Sequence, residues 1–132
     1  MERMRRLITD FPGQIRQAWH IAQSTPIDFA GFAPRNIVIL GMGGSGISGA
    51  IASKMLAGTA GVPIAANSDY TLPAFVGPDT LVVACSYSGQ TEETLAALAQ
   101  AASRGARIAA ITSGGELGAQ AAAAGWPTVP IP

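Results

Sequence analysis

The sequence predicts an α/β domain: a three-layer, doubly wound parallel sheet of about five strands. Three observations carry this expectation. Residues 36–40 (Asn-Ile-Val-Ile-Leu) and 80–84 (Thr-Leu-Val-Val-Ala) are short, continuous apolar runs, the look of strands buried on both faces. Stretches with helical periodicity separate the strands, which implies βαβ units. Small, hydroxyl-bearing or glycine-rich turns join strand to helix. Right-handed crossovers then put helices on both faces of one sheet.

Each element has its own local reason. Residues 12–23 read as a helix, with Pro12 in the first turn and Ile15, Trp19 and Ala22 on one face. Pro26, Gly31 and Pro34 break the chain after it, so residues 1 to about 34 form a helical N-terminal segment of a single domain spanning 1–132. Strand 36–40 runs into the turn Gly41 to Gly46. Ile47, Ile51 and Met55 then repeat every four residues, marking a helix that ends near Gly58. Residues 62–66 are a weaker strand and 67–79 a loop rich in turn residues. Strand 80–84 is followed by Cys-Ser-Tyr-Ser-Gly-Gln-Thr at 85–91. Leu95, Leu98, Ala99 and Ala102 mark the next helix face, and Gly105 stops it. Residues 107–112 are the fourth strand. Ser113 and Glu116 have capping-box spacing at the start of an alanine-rich helix that Gly125 ends. Residues 128–131 complete the sheet.

Composition excludes several classes. The chain has 132 residues, enough for one domain with one core. At 48% hydrophobic and 12% charged residues it is not a disordered chain. Cys85 is its single cysteine, so no disulfide framework holds it. Eight basic residues balance eight acidic ones, which removes the footprint of a nucleic-acid partner. No apolar run approaches the ~20 residues of a membrane span. Arg3, Arg5 and Arg6 lead into Thr9, Asp10 and Pro12 rather than an apolar signal segment, so a cytoplasmic location is expected. Alanine (25) and glycine (16) outnumber the eight aromatics so heavily that the core must rest on close backbone approach.

The turns after the first, third and fourth strands could do chemistry, because ligands of open parallel sheets bind beyond the carboxyl ends of the strands. A helix N-terminus offers unpaired N–H groups and partial positive charge, and serine or threonine hydroxyls add rotating donors, so such turns suit an anion, most naturally phosphate. In the first turn, Gly41, Gly43 and Gly46 match the dinucleotide fingerprint, and Asp69 lies about where a ribose-binding acid is wanted. Those glycines also suit a plain tight turn. The second turn packs Ser86, Ser88 and Thr91 into six residues. A helix cap explains one hydroxyl and not three. Glu92 and Glu93 suit the dipole of the helix that follows. The third turn reads as structural, a capped helix start. His20, Lys54 and Cys85 have no companion group near in sequence and read as packing or surface residues. No catalytic residue and no metal ligand is assigned.

Residues 37–46 (Ile-Val-Ile-Leu-Gly-Met-Gly-Gly-Ser-Gly) and 86–95 (Ser-Tyr-Ser-Gly-Gln-Thr-Glu-Glu-Thr-Leu) resemble the two signatures of sugar isomerase (SIS) domains. Within that superfamily the chain is similar to the bifunctional phosphoglucose/phosphomannose isomerases, also at Tyr70-Thr-Leu-Pro73 and Ile111-Thr-Ser-Gly-Gly115. The resemblance runs from about Phe11 onward. It implies a flavodoxin-like or Rossmann-like SIS fold and a hexose 6-phosphate ligand. Ser86, Ser88 and Thr91 would grip the phosphate, and Gly43, Gly44 and Ser45 would line the pocket near the sugar. The implied reaction moves a proton between C1 and C2 of glucose or mannose 6-phosphate, through ring opening and an enediol, to give fructose 6-phosphate. It needs no metal or organic cofactor. Family members carry two SIS domains, and their catalytic glutamate, histidine and lysine lie in the second; a supporting arginine is expected just past Pro132. A homo-oligomer such as a dimer, or association with a second SIS half, is therefore expected. Two other readings stay open on the sequence: a stand-alone regulatory module that senses a phosphosugar, and an NAD-type dinucleotide-binding domain.

Overall fold

A computed structural model describes residues 1–132. Its elements run α1 (Glu2–Ser24), β1 (Asn36–Leu40), α2 (Gly43–Leu56), β2 (Ile64–Asn67), β3 (Thr80–Ser86), α3 (Glu92–Ser103), β4 (Arg107–Thr112), α4 (Gly115–Ala124) and β5 (Thr128–Pro130). The five strands form one sheet in the order β2-β1-β3-β4-β5, every pair parallel. The expected α/β architecture is what the chain adopts.

Register explains where the core sits. Val38, Val82 and Ile108 lie side by side across β1, β3 and β4, and Leu40, Ala84 and Ala110 form the next row. All six are buried, covered by Ala97, Leu98 and Ala101 of α3 and Leu117 and Ala121 of α4. Alanines at the contact let these helices lie close to the sheet. The large residues Leu40, Leu98 and Leu117 are fully buried, each worth about 2 kcal/mol of transfer free energy. The opposite face is thinner. There Gly49 of α2 lies so close to Ile39 that an added Cβ would stand 2.9 Å from its Cγ2. Leu81, Val83 and Cys85 on that side are only half-buried.

The N-terminal helix departs most from the sequence reading. It begins at Glu2, ten residues before Pro12, and Pro12 lies inside it. Glu, Met, Arg and Leu before the proline are good helix formers and carry the helix past Pro12, although an interior proline costs about 3 kcal/mol. None of its residues is buried. Met4, Leu7, Ile8, Phe11, Ile15 and Trp19 are 52–69% exposed and form an unpartnered apolar stripe. No helix is long and apolar enough to cross a membrane.

Other boundaries shift for local reasons. α2 ends at Leu56, whose carbonyl accepts the N–H groups of Thr59 (3.0 Å) and Ala60 (2.7 Å), two residues before the expected Gly58 stop. β2 begins at Ile64, after Pro63, which cannot donate to the ladder. β3 extends through Cys85 and Ser86, which pair with Ile111 and Thr112. The capping box expected of Ser113 and Glu116 does not form. Gly114 is the N-cap of α4, no side chain caps it, and the Ser113 hydroxyl bonds elsewhere.

Candidate functional site

Strand order sets the place of the site. β1 connects onward to β2, whereas β3, its other neighbour, connects to β4 on the far side. The crossovers diverge there, which makes the carboxyl ends of β1 and β3 the topological switch point where such sheets bind ligands. The loops 41–46 and 86–91 leave from these two strand ends.

The first loop is closed by its missing side chains. A Cβ on Gly41 would lie 2.8 Å from the Ser45 carbonyl carbon, and one on Gly46 would lie 2.8 Å from both the Gly41 oxygen and Ser68 Oγ. Ser68 Oγ donates to the Gly41 carbonyl at 2.7 Å and pins the turn from outside. Gly41 and Gly46 are thus packing glycines. Gly43 (φ +53°) and Gly44 are exposed, with open space where a Cβ would be. They open α2, whose N-terminus no side chain caps. Ser45, half-buried, completes that first turn.

The second loop is held by its hydroxyls. Ser86, 3% exposed at the end of β3, accepts the Gly89 N–H at 3.1 Å and lies 2.8 Å from Thr91 Oγ1. With a lone pair committed to Gly89, Ser86 can give its one proton to Thr91, which leaves the Thr91 proton free to donate outward. Thr91 stands at the N-cap of α3 but makes no capping bond with its side chain. Ser88 is exposed, and its Oγ accepts the Gln90 N–H at 3.1 Å, so its proton is free as well. The sequence grouped Ser86, Ser88 and Thr91 as equals. In the fold Ser86 turns inward and shares one hydrogen bond with Thr91, which spends one of that pair's two protons, and Ser88 keeps its donor available. Together with the uncapped first turn of α3, these donors can converge on a small anion.

The loop between β2 and β3 is tied to the C-terminal half of α3, the end away from loop 86–91. Gln100 Nε2 donates to the Tyr70 carbonyl (2.7 Å), the Leu72 N–H donates to Gln100 Oε1 (3.2 Å), and Arg104 Nη1 donates to the Pro73 carbonyl (2.8 Å). Tyr70 is 43% exposed. Its phenol is raised above the usual value, first by partial loss of solvent and then by the Glu92 and Glu93 carboxylates. Tyr70 stands within a sequence motif without an evident role; nothing in its spacing says that its phenol feels the carboxylates of Glu92 and Glu93.

The remaining candidates lie apart. Asp69 Oδ1 accepts the N–H of Tyr70 (2.7 Å), a local turn bond. The dinucleotide reading also fails on topology. That fold sets its third strand outside the second, whereas here β3 lies against β1 and brings its own loop to the switch point. Burial pushes the Cys85 thiol up to about 11, so it is protonated at neutral pH. His20 on α1 and Lys54 on α2 are exposed and belong to neither loop.

Fold and site define a class: a doubly wound α/β domain with a cradle of hydroxyls and helix N-termini at its switch point. Comparison with known proteins narrows it. The family profile of the SIS domain matches residues 32–124, and the chain belongs to the SIS domain family. Over 125 residues it is 39% identical to a bifunctional phosphoglucose/phosphomannose isomerase of Caldicellulosiruptor bescii, covering 95% of this chain and 37% of that protein. A protein of the same description from Thermoplasma acidophilum is 52% identical over 82 residues, 62% of this chain and 26% of the relative. The chain therefore spans roughly a third of the length of these relatives. Among solved structures, tagatose-6-phosphate ketose/aldose isomerase from Escherichia coli superposes with a TM-score of 0.64 at 20% identity, over 96% of this chain and 36% of that one. That last likeness speaks to the fold alone.

Proposed function

We propose that this chain is the sugar-phosphate-binding SIS half of an aldose–ketose isomerase, interconverting glucose or mannose 6-phosphate with fructose 6-phosphate. The observation that carries the reading is the hydroxyl arrangement of the second loop at the switch point. Thr91 does not cap its own helix, Ser86 is spent on holding the loop, and two hydroxyl protons remain for a ligand. The relatives named phosphoglucose/phosphomannose isomerase support the substrate class.

In this reading the phosphate sits against the first turn of α3. Ser88 and Thr91 donate to its oxygens, as do the N–H groups of that turn. Ser86 orients Thr91 without touching the ligand. Gly43, Gly44 and Ser45 approach from β1 and border the sugar, the two glycines leaving room for its hydroxyls. Hydrogen bonds to a charged oxygen contribute about 1.5–3 kcal/mol each, so a few suffice for measurable affinity. Glu92 and Glu93 oppose the anion electrostatically, which the neutral donors must overcome.

Moving the proton between C1 and C2 requires a base within hydrogen-bond reach of the carbon acid. No base is assigned on this chain; in this reading a second SIS half or a second copy supplies it. The unpartnered stripe on α1 supports such an association, and a cytoplasmic setting fits the single, unpaired Cys85.

The test is a calorimetric titration of the purified chain with fructose 6-phosphate, with NAD as the control titrant. Saturable binding of the sugar phosphate and none of NAD is expected. Saturation by NAD, or silence with both, sinks the assignment.

A further inference from the structure

We propose that the β4–α4 turn, residues 112–115, is a positioning device for the phosphate loop, and that Ser113 is the residue that sets it. The inference rests on the sugar-phosphate reading of loop 86–91 and concerns a turn that the sequence marks only as a helix start.

The contacts all run in one direction. The Ser113 N–H donates to the Tyr87 carbonyl at 3.2 Å, and the Ser113 hydroxyl donates to the same oxygen. One turn into α4, the Leu117 N–H donates to the Gly89 carbonyl at 2.9 Å. The turn keeps its own shape through Thr112, whose Oγ1 accepts the Gly114 N–H (3.1 Å) and donates to the Gly114 carbonyl (2.9 Å). The two loops touch backbone to backbone. A Cβ on Gly89 would overlap the Gly114 carbonyl, and one on Gly115 would overlap the Ser88 carbonyl. The turn therefore gives the Ser113 N–H and hydroxyl, and α4 the Leu117 N–H, to the neighbouring loop.

The peptide plane converts these bonds into function. In a trans peptide the C=O and the following N–H point opposite ways. The Tyr87 carbonyl is drawn toward Ser113, so the Ser88 N–H faces away from β4, toward the β1 side where the switch point lies. The Gly89 carbonyl is drawn toward Leu117, so the Gln90 N–H turns the same way and meets Ser88 Oγ at 3.1 Å. That bond occupies a Ser88 lone pair and orients its proton outward. Two ligand-facing donors, the Ser88 amide and the Ser88 hydroxyl, are thus aimed by groups in another loop. Ser113 acts through Tyr87 and does not touch the ligand.

The experiment compares Ser113→Ala with Ser113→Thr. Fructose 6-phosphate affinity is read by calorimetry, and the backbone amide signals of the ligand-free proteins by NMR. Loss of one orienting hydrogen bond predicts roughly five-fold weaker binding in Ser113→Ala, with a melting temperature lowered by only a few degrees. The amide signals of Ser88 and Gln90 should shift, and those of Gly44 and Ser45 should not. Ser113→Thr keeps the hydroxyl and should restore both. In the wild-type chain the Ser113 amide should be protected from exchange without ligand, and the Ser88 amide only with it. Wild-type affinity and an unmoved Ser88 signal in Ser113→Ala overturn the proposal. So does an affinity loss matched by a general loss of stability. If the wild-type chain binds no sugar phosphate, the function proposed above falls, and the Ser88 shift in the ligand-free variant still decides whether Ser113 aims the loop.

Discussion

The loops at the ends of β1 and β3 draw on the same few residue types and are held by opposite means. In 41–46 the structure comes from absent atoms. Gly41 and Gly46 let the chain fold against itself, and Gly43 and Gly44 face open space. In 86–91 it comes from added ones. Ser86 holds Gly89 and Thr91, Ser88 holds Gln90, and the next loop braces the whole from the side. A glycine's task is read from what its missing Cβ would meet, and a hydroxyl's from which of its lone pairs and protons are already taken. Composition reports neither.

Substitution can break this contrast. Gly89→Ala should have the largest effect: φ is +69° and the new Cβ would overlap the Gly114 carbonyl. Strain and overlap together should cost about 3 kcal/mol or more, read as a fall in urea midpoint. Its counterpart Gly44→Ala, in open space at a helix start, should change stability by less than about 1 kcal/mol while weakening fructose 6-phosphate binding. If Gly44→Ala binds normally, that glycine is not reserved for the sugar.

Next comes pH. Burial holds the Cys85 thiol at about 11 against an ordinary value near 9, so the folded state keeps a proton that the unfolded state releases. The associated stability is complete below about pH 9 and disappears as pH rises toward 11, a loss of order 2 kcal/mol. Urea unfolding between these pH values should show that slope, and Cys85→Ala should flatten it. Because Cys85 immediately precedes the second loop, loosening that loop with Gly89→Ala should also speed alkylation of the thiol.

Smaller effects separate the hydroxyls. Ser86→Ala strands the Gly89 N–H and should cost about 1–2 kcal/mol of stability along with affinity. Ser88→Ala should weaken sugar-phosphate binding roughly ten-fold while changing stability by less than about 0.5 kcal/mol. Equal stability losses in the two variants would erase the distinction between inward and outward hydroxyls. Asp69→Ala, which removes only a local turn bond, should leave sugar-phosphate affinity unchanged in the same titration.

Much of the fold was legible because strands buried on both faces have little choice of residue. Residues 36–40 and 107–112 are strands with the expected limits. The end of β3 was not legible, since Cys85 and Ser86 look like turn residues until β4 pairs with them. The start of α1 was missed because Pro12 is a good first-turn residue, and nothing local says that the helix has already begun. The hydroxyl-rich loop stood out in the sequence, but the division of labour within it did not. Ser86 is inward because of its position on the β3 pleat, and Tyr87 is held by Ser113, 26 residues later. The apolar period of α1 was visible too. A period shows that a helix has a face to cover; it is silent on what covers it.

The register of β1 on β3 has a kinetic consequence. Asn36 pairs with Thr80, 44 residues away, the widest sequence gap between neighbouring strands of this sheet. Closing so remote a pair is the slow kind of step in folding. The site between loops 41–46 and 86–91 does not exist in any species that precedes it. An anion that binds there finds no foothold during the early stages of refolding. It should leave the refolding rate nearly unchanged and lengthen the lifetime of the folded chain instead, acting as a latch set after the door has shut.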